Sequence, residues 1–96
     1  MPREPCVYIL ASRPGGATYV GVTADLVRRV GEHKQGRGSR FTARYRIRTL
    51  VWYEWHETMI EAIGREKELK KWERAKKSRL IAEVNPTWRD LYEDLA

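Results

Sequence analysis

Two stretches with helical periodicity carry ionisable residues on their apolar sides. In LVRRVGEH, residues 26–33, a rotation of about 100° per residue places Arg29 and His33 in line with the apolar leucine and valine. A second stretch, residues 59–69, places Glu66 within its apolar stripe. Because an unpaired buried charge is costly, residues in such positions usually have a partner or a function.

Two tyrosines add hydroxyl groups on predicted strands. Strand alternation puts Tyr8 on the same face as Cys6 and Leu10 in CVYIL, and Tyr19 on the same face as Gly21 in TYVGV. A glycine beside an aromatic residue on a strand leaves room for another group to approach. The two tyrosines are therefore candidates to line a concave site together with the arginine, histidine and glutamate.

This set of side chains suits hydrolysis of a phosphodiester. Arginine offers a planar fork to a phosphate, and a carboxylate holds a hard divalent cation. A tyrosine or histidine moves the proton of the attacking water. The sequence lacks the cluster of acids that a two-metal site would need, which favours one largely hydrated Mg²⁺ or Mn²⁺.

A purely structural interpretation of the charged residues is also open. Arg29 and Glu66 would then pair with each other at the edge of the sheet, and each would satisfy the charge of the other. Under this interpretation the two helices need no ligand.

The basic residues are clustered, which favours a polyanionic partner. The chain has a net charge of +6 and a pI near 9.8, and residues 28–48 and 65–79 together hold 16 of its 19 Lys and Arg residues. Phe41 lies among the arginines and is a candidate for stacking on bases, while Tyr45 is a candidate for either stacking or packing. The basic residues that we predict to contact nucleic acid are Arg28, Arg37, Arg40, Arg44, Arg46, Lys70 and Lys71.

Length and composition predict one small domain over residues 1–96. One cysteine rules out a disulfide within the chain and fits a reducing compartment. The sequence has no apolar run of membrane-spanning length, and MPREP lacks the apolar core of a signal peptide. We expect a cytoplasmic protein, monomeric or a weak homodimer, with neither a membrane partner nor a small-molecule cofactor.

The elements that must position the site begin with three predicted strands. Residues 6–12 and 17–22 are β-branched and aromatic, and the Pro-Gly-Gly turn between them predicts an antiparallel hairpin. TLVWYEW, residues 49–55, is the third strand. With helices packed on this sheet, the predicted fold is α/β (α+β), a small three-stranded antiparallel sheet flanked by helices.

Helix signals separate and follow the strands. Either Thr23 or Asp25 caps a helix that reaches about residue 35, and a short helical turn is expected over residues 41–45. A capping box at residues 58–61 begins a helix that runs to about residue 74. Its predicted apolar stripe consists of Met59, Ile60, Ala62, Ile63 and Leu69. Two more helices are predicted, over residues 76–84 and over residues 88–95 with Thr87 as the cap.

At this point the sequence resembles a known family. VYI and YVG place two tyrosines eleven residues apart, and D-L-x-x-R-V-x-x-H follows them, as in the GIY-YIG nucleases. REKELKKW and NPTWRDL are similar to stretches of the small stand-alone, URI-type members. The resemblance extends from Cys6 to about Leu95, and it rests on the order and spacing of the motifs together.

The resemblance implies roles for the residues of the first three motifs. Tyr19 matches the tyrosine that activates the water, and Tyr8 matches the supporting tyrosine of the first motif. Arg29, rather than Arg28, matches the arginine that engages the scissile phosphate.

It implies roles for three further residues. His33 matches a position that acts in proton transfer or phosphate contact. Glu66 matches the glutamate that binds the single divalent metal ion. Asn85 lies where some members have an active-site asparagine, and we assign it a supporting role.

One departure from the family pattern lies at the start of the first motif, where Cys6 replaces the usual glycine. Both tyrosines are intact, so the replacement leaves the chemistry in place while narrowing the entrance to the first strand. Cys6 itself is expected to be a small core residue rather than a nucleophile.

The sequence and the resemblance together favour a Mg²⁺- or Mn²⁺-dependent endonuclease acting on DNA, tolerant of structure or low in sequence specificity. Positive charge from Arg29 and the metal ion would help a tyrosine, whose pKa is ordinarily about 10, to accept a proton near neutral pH. Two alternatives stay open at this stage. One is a non-catalytic nucleic-acid-binding module of the same fold, and the other is a structural protein with a buried Arg29–Glu66 pair.

Overall fold

A computed structural model of the chain describes residues 4–95, which form a three-stranded antiparallel sheet with helices on both faces. The strands are β1 (Cys6–Ala11), β2 (Thr18–Thr23) and β3 (Thr49–Trp55), in the order β2-β1-β3. The helices are α1 (Leu26–Lys34), α2 (Arg40–Arg44), α3 (Met59–Lys71), α4 (Arg74–Val84) and a C-terminal 3₁₀ helix (Leu91–Leu95). The predicted fold class and all three predicted strands are confirmed.

The central strand β1 is buried on both faces, because each face packs against a separate set of helices. Val7 and Ile9 point into a core that α3 and α4 complete. Cys6, Tyr8 and Leu10 point the other way, into a core completed by α1 and the C-terminal 3₁₀ helix. The alternation of β1 therefore puts Tyr8 on the α1 side of the sheet.

Cys6 is a core residue, as predicted. It is fully buried, and burial raises the pKa of its thiol to about 12. The thiolate is the reactive form of cysteine, so this thiol is inert at neutral pH.

The helix that carries Arg29 and His33 is defined at both ends by local capping. The Asp25 side chain accepts a hydrogen bond from the Arg28 backbone N–H at 3.3 Å, which decides between the two predicted caps. At the other end Gly36 has a positive φ of 77°, and its N–H and that of Arg37 donate back to carbonyls of the last turn.

Three predictions about helix boundaries and faces are wrong. The last helix begins at Leu91 instead of residue 88, because Trp88 has φ 56° and the capping side chain is Asp90, which accepts from the Tyr92 N–H at 3.1 Å. The helix that was expected to reach residue 74 ends at Lys71 in extended backbone, and the next begins at Arg74.

The third concerns the apolar stripe of α3, in which Ile60 and Ile63 are exposed rather than buried.

Residues 1–3, part of the stretch on which the expected absence of a signal peptide rested, lie outside the described residues, as does residue 96. Within residues 4–95, every helix is too short or too polar to cross a membrane.

Candidate active site

Tyr8 lies at the centre of the site, where the sheet register places it opposite Gly21 on β2. A Cβ built on Gly21 would come within 3.0 Å of ring and hydroxyl atoms of Tyr8, so the ring occupies the space that the glycine leaves. The Tyr8 hydroxyl lies 3.0 Å from Nε2 of His33. The group that approaches Gly21, as the sequence predicted, is therefore the side chain of Tyr8 on the neighbouring strand.

Three rings meet on this face of the sheet. The ring centroid of Tyr19 lies 6.3 Å from that of Tyr8 and 5.3 Å from that of His33. Tyr8 is buried, whereas Tyr19 is partly exposed. Of the two tyrosines, Tyr19 is the one that a molecule in solvent can reach.

His33 is held neutral by its surroundings. It is fully buried, and burial lowers its pKa to about 4, helped by the positive charge of Arg29. Its Nδ1 lies 2.9 Å from Oγ1 of Thr42, and a Cβ on Gly38 would overlap the ring. The imidazole at pH 7 therefore has one N–H and one acceptor nitrogen.

Because the folded state holds His33 neutral, we expect stability to depend on pH. The unfolded chain binds a proton at His33 near pH 6.5 and the folded chain near pH 4. The contribution of neutral His33 to the free energy of unfolding is therefore fully present above pH 6.5. It falls by as much as about 3 kcal/mol as the pH drops from one value to the other. An NMR titration of the His33 ring, run beside urea unfolding at each pH, measures both quantities. A midpoint for His33 near the ordinary histidine value would contradict the expectation.

Arg29 is partly exposed and partly held in place. One guanidinium nitrogen is 3.1 Å from Oε1 of Glu32, and the other donates to the Gly38 carbonyl oxygen at 2.8 Å. Its side chain is 33% exposed and borders an open cavity of about 270 Å³ that Thr23, Asp25, Arg28 and Glu32 also line. Glu32 and the Gly38 carbonyl therefore hold the guanidinium, while part of the side chain stays exposed to solvent.

Glu66 approaches from the other side of the sheet, because α3 packs against β1 and β2. Its side chain is 15% exposed and forms an ion pair with Lys70 at 3.3 Å. Burial is the main cause that raises the pKa of the Tyr8 hydroxyl, while the charge of Arg29 opposes the rise and the charge of Glu66 adds to it. The packing of α3 brings Glu66 to the sheet on the face opposite the tyrosine cluster.

The alternative in which Arg29 and Glu66 neutralise each other is not what the described residues show. Arg29 pairs with Glu32, and Glu66 pairs with Lys70. An ion pair between Arg29 and Glu66 therefore does not explain why these two residues lie on the apolar sides of their helices.

The acidic residues fit a hydrated divalent cation rather than a protein cage. Within residues 4–95, no group of three or more His, Cys, Asp or Glu side chains is placed to hold a metal ion. Glu66 by itself matches the one or two carboxylates by which Mg²⁺ is usually held while it keeps several waters.

The basic surface lies beside this cluster and is exposed as predicted. Phe41 and Tyr45 are 48% and 50% exposed, their ring centroids are 5.1 Å apart, and the Arg44 guanidinium lies 5.5 Å from the Tyr45 ring. Tyr45 is thus a surface residue rather than a core residue, and its stacking on bases stays a prediction. The exposed basic residues of the predicted set are Arg28, Arg37, Arg40, Arg44, Arg46, Lys70 and Lys71.

Asn85 has a structural use. It is buried, its amide nitrogen donates to the carbonyls of Val51 and Arg89 at 3.1 and 2.9 Å, and its oxygen accepts from the Arg89 N–H at 3.2 Å. These bonds join the end of α4 to β3 and to the C-terminal segment, so Asn85 supports the fold on the α4 side of the sheet.

Sequence reasoning did not single out Thr42, which contacts His33 directly. Its hydroxyl is buried against a serine that caps α2, Ser39. The spacing of a capping Ser three residues before Thr was the available signal, but caps of this kind are common and do not point to a site.

Comparison with known proteins identifies the family. The family model of the GIY-YIG catalytic domain matches residues 4–79. UPF0213 proteins of Staphylococcus aureus strains Mu50, N315 and MW2 are each 42% identical over 77 residues, which cover 80% of this chain and 93% of theirs. No solved structure matches the chain significantly. The extent of the domain match and the identity to these relatives show that the chain belongs to the GIY-YIG family of nucleases.

Proposed function

We propose that the protein is a divalent-metal-dependent endonuclease that hydrolyses phosphodiester bonds of DNA with low sequence specificity. The observation that carries the proposal is the contact of Tyr8, Tyr19 and His33 in one cluster, with the partly exposed Arg29 on the same helix as His33. Tyr8 and His33 are also buried in the core, and phosphoryl chemistry uses groups of each of these types.

Arg29 is proposed to bind the scissile phosphate. Glu32 and the Gly38 carbonyl hold its guanidinium in one orientation, so less side-chain entropy is lost when an anion binds. The positive charge then stabilises the additional negative charge on phosphorus as the nucleophile attacks.

Tyr19 is proposed to orient the attacking water and to receive its proton. It is the solvent-accessible tyrosine of the pair, while Tyr8 is buried and keeps its proton because burial raises its pKa. The bond between Tyr8 and neutral His33 fixes the wall against which Tyr19 packs. Tyr8 and His33 thus support the reacting tyrosine.

Glu66 is proposed to hold the divalent cation. When bound, Mg²⁺ or Mn²⁺ would supply Lewis acidity to the phosphate and to the leaving oxygen. Lys70, which pairs with Glu66 in the structure, would then be released toward the nucleic acid.

Cleavage assays with Arg29→Ala test the proposal, with Arg28→Ala as a neighbouring control whose side chain is 69% exposed. Arg29→Ala is expected to lower kcat on nicked, branched and linear DNA by about 10²–10³-fold, because a preorganised donor to the transition state is lost. Arg28→Ala is expected to raise KM by less than about tenfold, since it removes one exposed phosphate contact.

Equal cleavage by the wild type and Arg29→Ala would mean that the nuclease is a contaminant. Salt-dependent binding of DNA by the wild type without any turnover would favour the binding module instead.

Arg46 gives a second test, of the nucleic-acid surface. The N–H groups of Arg46 and Ile47 donate to the carbonyls of Ala43 and Thr42 at 3.4 and 2.9 Å, an arrangement that normally places glycine in the left-handed position. Gly36 occupies that position after α1, whereas Arg46, with φ 54°, occupies it after α2.

Arg46→Gly is therefore expected to raise stability by about 0.5–1 kcal/mol, since the strain at a positive φ is relieved. It is also expected to weaken DNA binding and to lower the slope of log Kd against log salt by about one. Thermal melting and fluorescence anisotropy at several salt concentrations measure both effects. Arg46→Lys keeps both the charge and the strained backbone and serves as the control. Unchanged DNA binding by Arg46→Gly would show that Arg46 does not contact the nucleic acid.

A further inference from the structure

The surface helix α2 is joined to the tyrosine cluster by a buried chain of side-chain hydrogen bonds. Thr42 is the buried residue of this helix, and its Oγ1 lies 2.9 Å from Nδ1 of His33. On the other side of the imidazole, Nε2 lies 3.0 Å from the Tyr8 hydroxyl. Thr42 therefore acts on Tyr8 through the two nitrogens of one ring.

The direction of these bonds follows from the number of protons available. The Thr42 hydroxyl lies 3.3 Å from the Ser39 carbonyl oxygen, which accepts only, and 2.9 Å from the Ser39 hydroxyl. If Thr42 donates to this carbonyl, its oxygen is free to accept from Ser39 and from Nδ1–H of His33, and every short contact of the hydroxyl is satisfied. If Thr42 instead donated to Nδ1 of His33, no proton would remain for its contact with the Ser39 carbonyl oxygen.

The position of the proton on His33 determines the bond to Tyr8. A neutral imidazole has one N–H, so a proton on Nδ1 leaves Nε2 as an acceptor, and the Tyr8 hydroxyl must be the donor. The lone pairs of the Tyr8 oxygen then face away from His33 and are available to the Arg29 guanidinium. With the proton on Nε2, the histidine would use one of those lone pairs.

We propose that Thr42 is a positioning residue, which holds His33 in the Nδ1–H tautomer so that the Tyr8 hydroxyl donates to Nε2 and keeps its lone pairs for the site. The catalytic consequence of this assignment rests on the proposed nuclease function, but the assignment itself is a property of the free protein. Gly38 lies against the same ring, and any side chain at this position would overlap the imidazole.

The tautomer is measured by ¹⁵N NMR of protein labelled at histidine, because protonated and unprotonated ring nitrogens have well-separated chemical shifts. For the wild type we expect a protonated Nδ1 and an unprotonated Nε2 in His33. Thr42→Val, which keeps the shape and removes the hydroxyl, is expected to move a substantial part of His33 to the Nε2–H form. Thr42→Ser is expected to restore the wild-type spectrum.

Ser39→Ala provides a matched control. It removes the cap of α2 and should lower the melting temperature, but the Thr42 hydroxyl and the Ser39 carbonyl remain, so the tautomer should not change. A general loosening of α2 would affect Ser39→Ala and Thr42→Val alike, whereas the proposed role of Thr42 separates them.

Activity gives a second readout. Thr42→Val is expected to lower kcat by at least about tenfold with KM within about twofold, as for other changes that put a catalytic histidine in the wrong tautomer. An Nε2–H histidine in the wild type, or a tautomer that Thr42→Val does not change, overturns the proposal. Because the wild-type spectrum decides even if Thr42→Val fails to fold or the protein fails to cleave DNA, the proposal stands or falls independently of the nuclease function.

Discussion

Glu66→Gln is expected to abolish metal-dependent cleavage while leaving the protein folded and able to bind DNA. Glutamine has the shape of glutamate, so packing at this 15%-exposed position is preserved, but the negative charge needed for a divalent cation is lost. The loss of Lewis acidity is worth several kcal/mol, and we expect kcat to fall by about 10²–10³-fold or more. Steady-state cleavage over a range of Mg²⁺ and Mn²⁺ concentrations measures the effect.

Glu68→Gln is the control on the same helix. Its side chain is 54% exposed and pairs with Arg65, and helical geometry places it about 200° around α3 from Glu66. Its removal costs a surface ion pair, which contributes at most about 1 kcal/mol. If Glu66→Gln and Glu68→Gln cleave DNA equally well with the same metal dependence, Glu66 does not hold the cation.

Metal binding itself gives a readout that does not need turnover. Cations that bind only the folded state raise the free energy of unfolding, and with it the melting temperature, by an amount that grows with the logarithm of their concentration over Kd. We expect Mn²⁺ to raise the melting temperature of the wild type and to have no effect on Glu66→Gln.

Gly21→Ala, which adds one methyl group, is expected to lower both the free energy of unfolding and the rate of cleavage. The added Cβ would come within 3.0 Å of the Tyr8 ring and hydroxyl, while β2 is held by its pairing with β1. Overpacking of this kind usually costs about 1–3 kcal/mol. Tyr8 must move, so the bond between Tyr8 and His33 is lengthened or lost, and we expect kcat to fall with the melting temperature.

Gly64→Ala separates this effect from a general response to removing glycine. A Cβ on Gly64 meets no atom within 4 Å, and the residue lies inside α3, where alanine is favoured over glycine by about 0.5–1 kcal/mol. It should therefore stabilise the protein and leave cleavage unchanged. A stable and fully active Gly21→Ala would show that the position of Tyr8 is not required. Thermal melting and single-turnover cleavage of both variants decide the question.

The sequence predicted the strands well because their signals are local. Residues 49–55 form β3 with the predicted bounds, and the Pro-Gly-Gly turn placed β1 and β2 in a hairpin. The helical period also identified the inward side of α1, where Leu26, Val30 and His33 are buried. These patterns depend on the geometry of one element at a time.

The same period was less reliable for α3. Ala62 and Leu69 are buried as predicted, but Ile60 and Ile63 are exposed, because the helix contacts the sheet along a narrower strip than its apolar residues cover. The last helix was placed too early, since a tertiary bond network around Asp90 rather than Thr87 determines where it begins. That network includes the backbone N–H of Leu50 on β3, which no local pattern reveals.

By itself, the sequence identified the candidate site residues, from their types and from the resemblance to the family, and local periodicity predicted the inward side of α1. Only the tertiary structure decided their partners. Arg29 bonds Glu32 and Gly38 rather than Glu66, and His33 lies between Tyr8 and Thr42. The bond between Arg29 and Glu32 lies within α1. The contacts of His33 with Tyr8 and Thr42 join residues 25 and 9 positions apart, and they depend on how the helices pack on the sheet, beyond the reach of any single periodic pattern.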